Sequence, residues 1–321
     1  LKDLWNLELN MTQENNKEHI ESLLRHAHLN IGDINKINVG NQLLNPSKDY
    51  DNPILEFLDY MSMPQNFWFT CKYLLNVDLL PFQLCILQEL WDRKFPMLIA
   101  TRGAGKTWIL ALYSLLRAFF MQGCKIIVIG AAFRQSKLLF EYMETFYKNS
   151  PVFSNMIGAG KGQGPKRDID RCTFYVGKSE IIAIPLGDGS KIRGLRANYI
   201  IADESASIPQ EIFEVVIKGF GAVSANPADK VKEYAQIQKL KELGMYNQAQ
   251  EIEGELGFGN QTIMAGTASY AFNHFYEYFE RQREIVRSKG DERYLEEHVF
   301  KGKIPDGFDW TQYSVMRIPE G

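Results

Sequence analysis

Apolar residues in this chain fall into two alternating patterns, short unbroken runs and longer helical stripes. Met97 to Ala100, Lys125 to Ile129, Tyr199 to Ala202 and Thr262 to Ala265 are short runs bounded by turn-forming residues. Such runs predict strands buried on both faces. Phe82 to Trp91, Lys106 to Met121 and Gln135 to Tyr147 carry helical spacing. On the first of these, Phe82, Cys85, Ile86 and Leu90 form the expected apolar stripe. Strand and helix alternating in this rhythm imply a parallel sheet with crossovers. Thr173 to Val176 and Glu180 to Pro185 predict a hairpin turned at Gly177-Lys178. Thr262 to Ala265 reads as the last buried strand, with helices following to about Phe300.

The remaining segments lack that rhythm. Residues 1–60 are polar and Asn-rich, with one helix expected from Thr12 to Leu29 that places Ile20, Leu23, Leu24 and Ala27 on one face. Asn-Pro pairs at 45–46 and 52–53 mark turns. Residues 157–168 contain Gly158, Gly160, Gly162 and Gly164 and predict a flexible loop. Pro227 to Leu256 is rich in Glu, Lys and Gln and predicts a helical surface insertion. The expected division is an accessory arm over 1–60, an α/β domain over 61–300 with an insertion at 227–256, and a C-terminal linker over 301–321. No internal repeat is present.

Composition narrows the classes. With 45% hydrophobic and 23% charged residues, the chain has the balance of a globular protein with a sizeable core. A net charge of -3 argues against a bulk nucleic-acid coat and leaves room only for a local basic patch. The candidates for such a patch are Lys161, Lys166, Arg167, Arg171, Lys178 and Arg196. Cys71, Cys85, Cys124 and Cys172 are widely spaced, which gives no zinc signal and suits a reducing compartment. The longest apolar stretch, Trp108 to Met121, is broken by Ser114 and Arg117 and is too short to span a membrane. Leu1-Lys2-Asp3-Leu4 does not resemble a signal peptide, so a cytoplasmic location is expected.

Two motifs carry chemistry. Ala100-Thr101-Arg102-Gly103-Ala104-Gly105-Lys106-Thr107 lies between a predicted strand and a predicted helix. It matches the phosphate-loop pattern except that Ala100 replaces the first glycine. Small residues let backbone N–H groups surround phosphates, and the helix N-terminus adds its dipole. Lys106 is expected to reach the β- and γ-phosphates and Thr107 to bind Mg²⁺. Gly158-Ala159-Gly160-Lys161-Gly162 also contains Gly-Lys, but no hydroxyl residue and no apolar helix follow it, so it is set aside. The second motif is the run Tyr199 to Ala202 ending in Asp203-Glu204. Asp203 is placed to hold Mg²⁺, and Glu204 to polarise an attacking water.

Three further sets of residues are candidates. Arg102 and Arg134 follow predicted strands at the edge where ligands bind, and either could meet the charge that develops on a γ-phosphate. Gln83 has the donor and acceptor to read adenine, and equally those to cap a helix. Gly266-Thr267-Ala268-Ser269 ends the last run and is either a γ-phosphate sensor or a capped turn. The fold class these elements imply is α/β, a P-loop NTPase of the RecA/ASCE type. Its central sheet is mainly parallel and flanked by helices, with small helical accessory regions.

Taken in order, Gln83, the phosphate loop, Arg134, Arg193-Gly194, Asp203-Glu204 and Gly266-Thr267-Ala268 resemble the large terminase subunits of tailed bacteriophages. Gly189-Ser190-Lys191-Ile192-Arg193-Gly194 and Pro209-Gln210-Glu211-Ile212-Phe213 are similar to that family's segments on either side of the acidic strand. The resemblance covers roughly Asn66 to Tyr276. It implies an ATPase motor, dependent on ATP and Mg²⁺, that moves double-stranded DNA into a procapsid. It also implies a portal protein and a small terminase subunit as partners, and a homo-oligomeric ring of five subunits, with the isolated domain a monomer, in the host cytoplasm. By resemblance Thr101 to Thr107 and Gln83 bind nucleotide, Thr107 and Asp203 hold metal, and Glu204 is the base. Arg134 or Arg102 completes the site, and Gly266-Thr267-Ala268 couples hydrolysis to movement. Full-length members carry a nuclease domain after this part. No carboxylate cluster for it follows here, and no nuclease activity is expected of this polypeptide. A superfamily-two-type helicase or translocase, a nucleotide-dependent binding switch and a non-enzymatic scaffold are the competing readings.

Overall fold

The structure is a computed structural model and describes residues 53–101, 103–130, 133–158, 162–168, 171–185, 197–211, 260–267 and 274–318. Residues 1–52 and the insertion expected at 227–256 lie outside these. The centre is an eight-stranded sheet in the order β3-β4-β5-β2-β6-β7-β1-β8. Its strands are β1 (Phe95–Ala100), β2 (Lys125–Gly130), β3 (Gly164–Arg167), β4 (Cys172–Val176), β5 (Ser179–Pro185), β6 (Tyr199–Asp203), β7 (Gln261–Gly266) and β8 (Tyr313–Ile318). From β5 to β8 every neighbouring pair is parallel, and only β3/β4 and β4/β5 are antiparallel.

The unbroken apolar runs are explained by burial on both faces. Leu98, Ile126, Val128, Ile181, Ile201 and Ile263 belong to one core, while Met97, Ile99, Ile127, Ile129, Ile182, Ile200 and Met264 belong to the other. Alternate residues of a strand point to opposite faces, so a strand covered twice must be apolar throughout. The larger core is formed with helices α1 (Pro53–Ser62), α2 (Phe67–Leu75), α3 (Pro81–Asp92), α4 (Lys106–Phe120), α5 (Phe133–Asn149) and α6 (Pro151–Met156). The smaller one receives Phe275 and Phe279 of α7 (His274–Ser288).

Five expectations need correction. The stripe on α3 is rotated: Ile86, Leu87, Leu90 and Trp91 are buried, whereas Phe82 is 44% exposed and Cys85 lies at the surface. Helix α4 is buried on every side, including Ser114 and Arg117, so its polar residues do not mark a solvent face. Part of the Gly-rich segment expected to be a loop is β3, paired with β4. Most consequentially, the 301–321 segment expected to be a linker ends in β8, which runs parallel to β1 with Phe95 opposite Tyr313 and Ala100 opposite Ile318. The arm expected over 1–60 likewise gives way at Pro53 to α1, whose Phe57 and Leu58 are in the core. The hairpin is found as expected, with Gly177 at φ 61 in its turn. Among the described residues no helix is long and apolar enough to cross a membrane.

Candidate active site

The C-terminal ends of β1, β6 and β7 converge. β7 lies between the other two, so its end reaches both. Beyond β1 the chain turns through Gly103 at φ 88 and Gly105 at φ 78 before α4 begins, its first bond being Ile109 N–H to the Gly105 carbonyl. Both φ values are readily adopted only by glycine. A Cβ at either position would meet nothing within 4 Å, so conformation requires these glycines and the space above the loop is open. Ala100 needs no such freedom: it is the last residue of β1, and its carbonyl accepts from Lys106 Nζ at 3.1 Å. That accounts for the tolerated loss of the motif's first glycine.

Lys106 is 5% exposed and turns back over the loop. Besides Ala100 it donates to the Thr101 carbonyl at 3.4 Å and to Thr267 Oγ1 at 3.2 Å, and its Nζ lies 3.8 Å from Glu204 Oε1. Thr107 Oγ1 donates to Asp203 Oδ2 at 2.8 Å, joining positions 96 residues apart. Asp203 is 1% exposed, and burial pushes its carboxyl up from the usual carboxylate range. The Thr107 hydroxyl and the Glu204 backbone N–H work against that rise, and the Glu204 charge adds to it. Thr107 and Asp203 offer hard oxygen donors, and a buried anion of this kind calls for a cation. The residues therefore fit Mg²⁺.

Glu204 sits in the left-handed region at φ 52, a conformation uncommon for a residue with a side chain. A short 3-10 turn, Ser205–Ser207, holds it there. Ser205 Oγ donates to the Ala202 carbonyl at 2.8 Å, and Ile208 anchors the turn in the smaller core. The result turns adjacent carboxylates apart, Asp203 toward Thr107 and Glu204 toward Thr267, whose hydroxyl lies 3.2 Å from Glu204 Oε2.

A cleft of about 910 Å³ opens over these groups. It is lined by Gly103, Gly105, Lys106, Thr107, Asp203 and Glu204 together with Trp108, Phe133, Arg134, Lys137, Leu138, Glu141 and Tyr142. Arg134 thus faces the same cleft as the acids of its own chain. The α5 residues beyond Arg134 were not singled out from the sequence, although Arg134, Lys137, Leu138 and Glu141 share one helical face by spacing. Gln83 is not among the lining residues. Its Oε1 accepts from the Leu80 N–H at 2.9 Å, half of a capping box at the start of α3. Arg102, Ala268 and the Arg193-Gly194 segment lie outside the described residues.

The basic candidates do not form one patch. Cys172 pairs with Ala183 and Val176 with Ser179, so Arg167 and Arg171 lie toward the cleft end of the sheet and Lys178 at the opposite end. Arg167 is already engaged by Glu144, with contacts of 2.7 and 2.9 Å. Arg171 Nε lies 3.8 Å from Asp168 Oδ2. Lys161 and Arg196 lie outside the described residues.

A strand–glycine loop–helix carrying Lys106 and Thr107, an acidic strand end two strands away, and a hydroxyl strand end between them define a class: the P-loop NTPase fold in its RecA-like strand order. No protein-family model matches the chain, and no curated protein matches it. Solved structures similar to it are bacteriophage large terminases. The Thermus phage P74-26 large terminase ATPase domain aligns at 15% identity and TM-score 0.43, covering 77% of this chain and 83% of that one. The HK97 bacteriophage large terminase aligns at 14% identity and TM-score 0.45, covering 67% of this chain and 38% of that one. The large terminase of a thermophilic bacteriophage in complex with ADP aligns at 12% identity and TM-score 0.35, covering 63% of this chain and 49% of that one. At such TM-scores these likenesses decide nothing by themselves.

Proposed function

We propose that the chain is the ATP-hydrolysing motor domain of a large terminase subunit, driving double-stranded DNA into a procapsid. The observation that carries the ATPase reading is the 2.8 Å contact of Thr107 with Asp203, which brings a phosphate loop and an acidic strand end into one cluster with Glu204 beside it. The ordered motifs of the sequence carry the terminase reading.

In this mechanism the loop amides, Lys106 and the N-terminus of α4 bind the phosphates. Thr107 and Asp203 would hold Mg²⁺, which neutralises phosphate charge when bound. Glu204 accepts a hydrogen bond from the attacking water and aligns it with the γ-phosphate. Arg134, which lines the same cleft, meets charge developing on the phosphate oxygens. The Gln83 amide keeps its N–H donors for an adenine ring, and the exposed Phe82 beside it offers a face for stacking. Lys166 and Arg171 are the contacts we assign to the DNA backbone, which is read without base specificity.

The working form we propose is a ring of five copies on a portal, with a small terminase subunit as partner, in the host cytoplasm. The isolated domain is a monomer of low turnover. The test is ATP turnover against protein concentration, with and without double-stranded DNA, for wild type and Arg134→Ala. The expected result is turnover that rises with concentration and DNA and falls about 10³-fold in the variant. Nucleotide binding without turnover under every condition would favour a binding switch.

A further inference from the structure

Thr267 follows β7 and touches both charged groups of the site. Its hydroxyl has one proton to give. Lys106 can only donate and the Glu204 carboxylate only accepts, so the direction is fixed: Lys106 donates to Thr267 at 3.2 Å, and Thr267 donates to Glu204 at 3.2 to 3.3 Å. The three donors of the Lys106 ammonium match the three acceptors around it: Thr267 and the Ala100 and Thr101 carbonyls. A phosphate can take Lys106 only by displacing one of them.

We infer that Thr267 is a positioning residue that competes with nucleotide phosphate for Lys106 and keeps Glu204 oriented once Lys106 has left. This rests on the ATP reading above. Two of the three acceptors are backbone carbonyls at the end of β1 and cannot turn away. Thr267 alone among them follows another strand, β7. When Lys106 moves to phosphate, its 3.8 Å ion pair with Glu204 is lost, but the hydrogen bond that the Thr267 hydroxyl donates to the carboxylate stays. Glu204 then sheds its counter-ion while keeping its orientation, and becomes available to a water only with phosphate in place. A Cβ on the preceding Gly266 would lie 2.9 Å from the Phe275 ring, so α7 packs directly onto the strand end.

The test uses Thr267→Val, close in shape but without the hydroxyl, and Thr267→Ser as the conservative control. ATP affinity is measured by equilibrium titration without divalent metal, and kcat by turnover with Mg²⁺. The valine variant is expected to bind ATP about threefold to tenfold tighter, because a competing acceptor is gone. Its kcat is expected to fall about 10- to 100-fold through misorientation of Glu204. Serine restores both values, and all three proteins melt together. A valine variant with wild-type affinity and kcat overturns the inference while leaving the ATP reading intact, provided Lys106→Ala weakens binding. If Lys106→Ala binds ATP as wild type does, both readings fall.

Discussion

Strand β7 has a buried polar cluster at each end, and the two differ in what they leave open. At its start, Gln261 donates to the Leu90 and Arg93 carbonyls at 2.6 and 2.5 Å and takes the Tyr113 hydroxyl. Arg117, 3% exposed, donates to Tyr113 at 3.0 Å and to the Trp91 carbonyl at 2.6 Å, with its guanidinium 3.7 Å from the Trp91 ring centroid. This end ties α3, α4 and the sheet together, and none of its residues lines the cleft. At the other end, Lys106 and Asp203 are similarly buried while Glu204 and Thr267 are half-buried, and Lys106, Asp203 and Glu204 border the cleft, sit beside left-handed glycines and include a residue at φ 52. Burial of charge is therefore common to scaffold and site. Access and backbone strain distinguish them.

The comparison breaks most visibly if the two ends are not separable. Replacing Arg117 by Met strips Tyr113 and the Trp91 carbonyl of their donor. It should cost about 2–3 kcal/mol in urea unfolding while leaving ATP turnover of the folded protein within about twofold. A turnover loss matching that of a phosphate-loop variant would mean the clusters act as one.

Asp203→Asn sharpens the contrast in the opposite direction. The folded-state pKa of Asp203 lies above its unfolded value, so its ionisation opposes folding. The deficit is absent below the unfolded pKa, grows as pH rises toward the folded pKa, and is complete above it. The neutral amide should therefore raise Tm at neutral pH, with no gain at acid pH, while ATP turnover is lost. Thermal melts across pH check the sign. An equal gain at every pH would assign the effect to packing.

Much of this was legible in the residues because it follows from short-range rules. The strand runs, the glycines before Lys106 and the acids after Ala202 are local patterns with one structural consequence each. What stayed hidden depends on partners distant in sequence. Nothing near Tyr313 announces that it will stack on Phe95 at 4.9 Å and complete the sheet. Arg117 reads only as a break in an apolar stretch until Trp91 and Tyr113 are seen around it. Arg167, a candidate for DNA, is paired with Glu144, 23 residues away. Gln83 had two readings, and the cap now accounts for its oxygen. Gln83→Ala should cost about 0.5–1 kcal/mol through that cap alone, the smallest effect expected here. Chemical unfolding measures it, and an unchanged midpoint would show that the capping contact contributes nothing.

The central claim is that Lys106, Thr107, Asp203 and Glu204 hydrolyse ATP. The most direct measurement is Mg²⁺-dependent ATP turnover, paired with nucleotide titration, for wild type and Glu204→Gln. The account predicts nucleotide affinity within about threefold of wild type and a turnover lower by about 10²–10⁴-fold, the size of a lost catalytic base. Turnover by Glu204→Gln at the wild-type rate would contradict it.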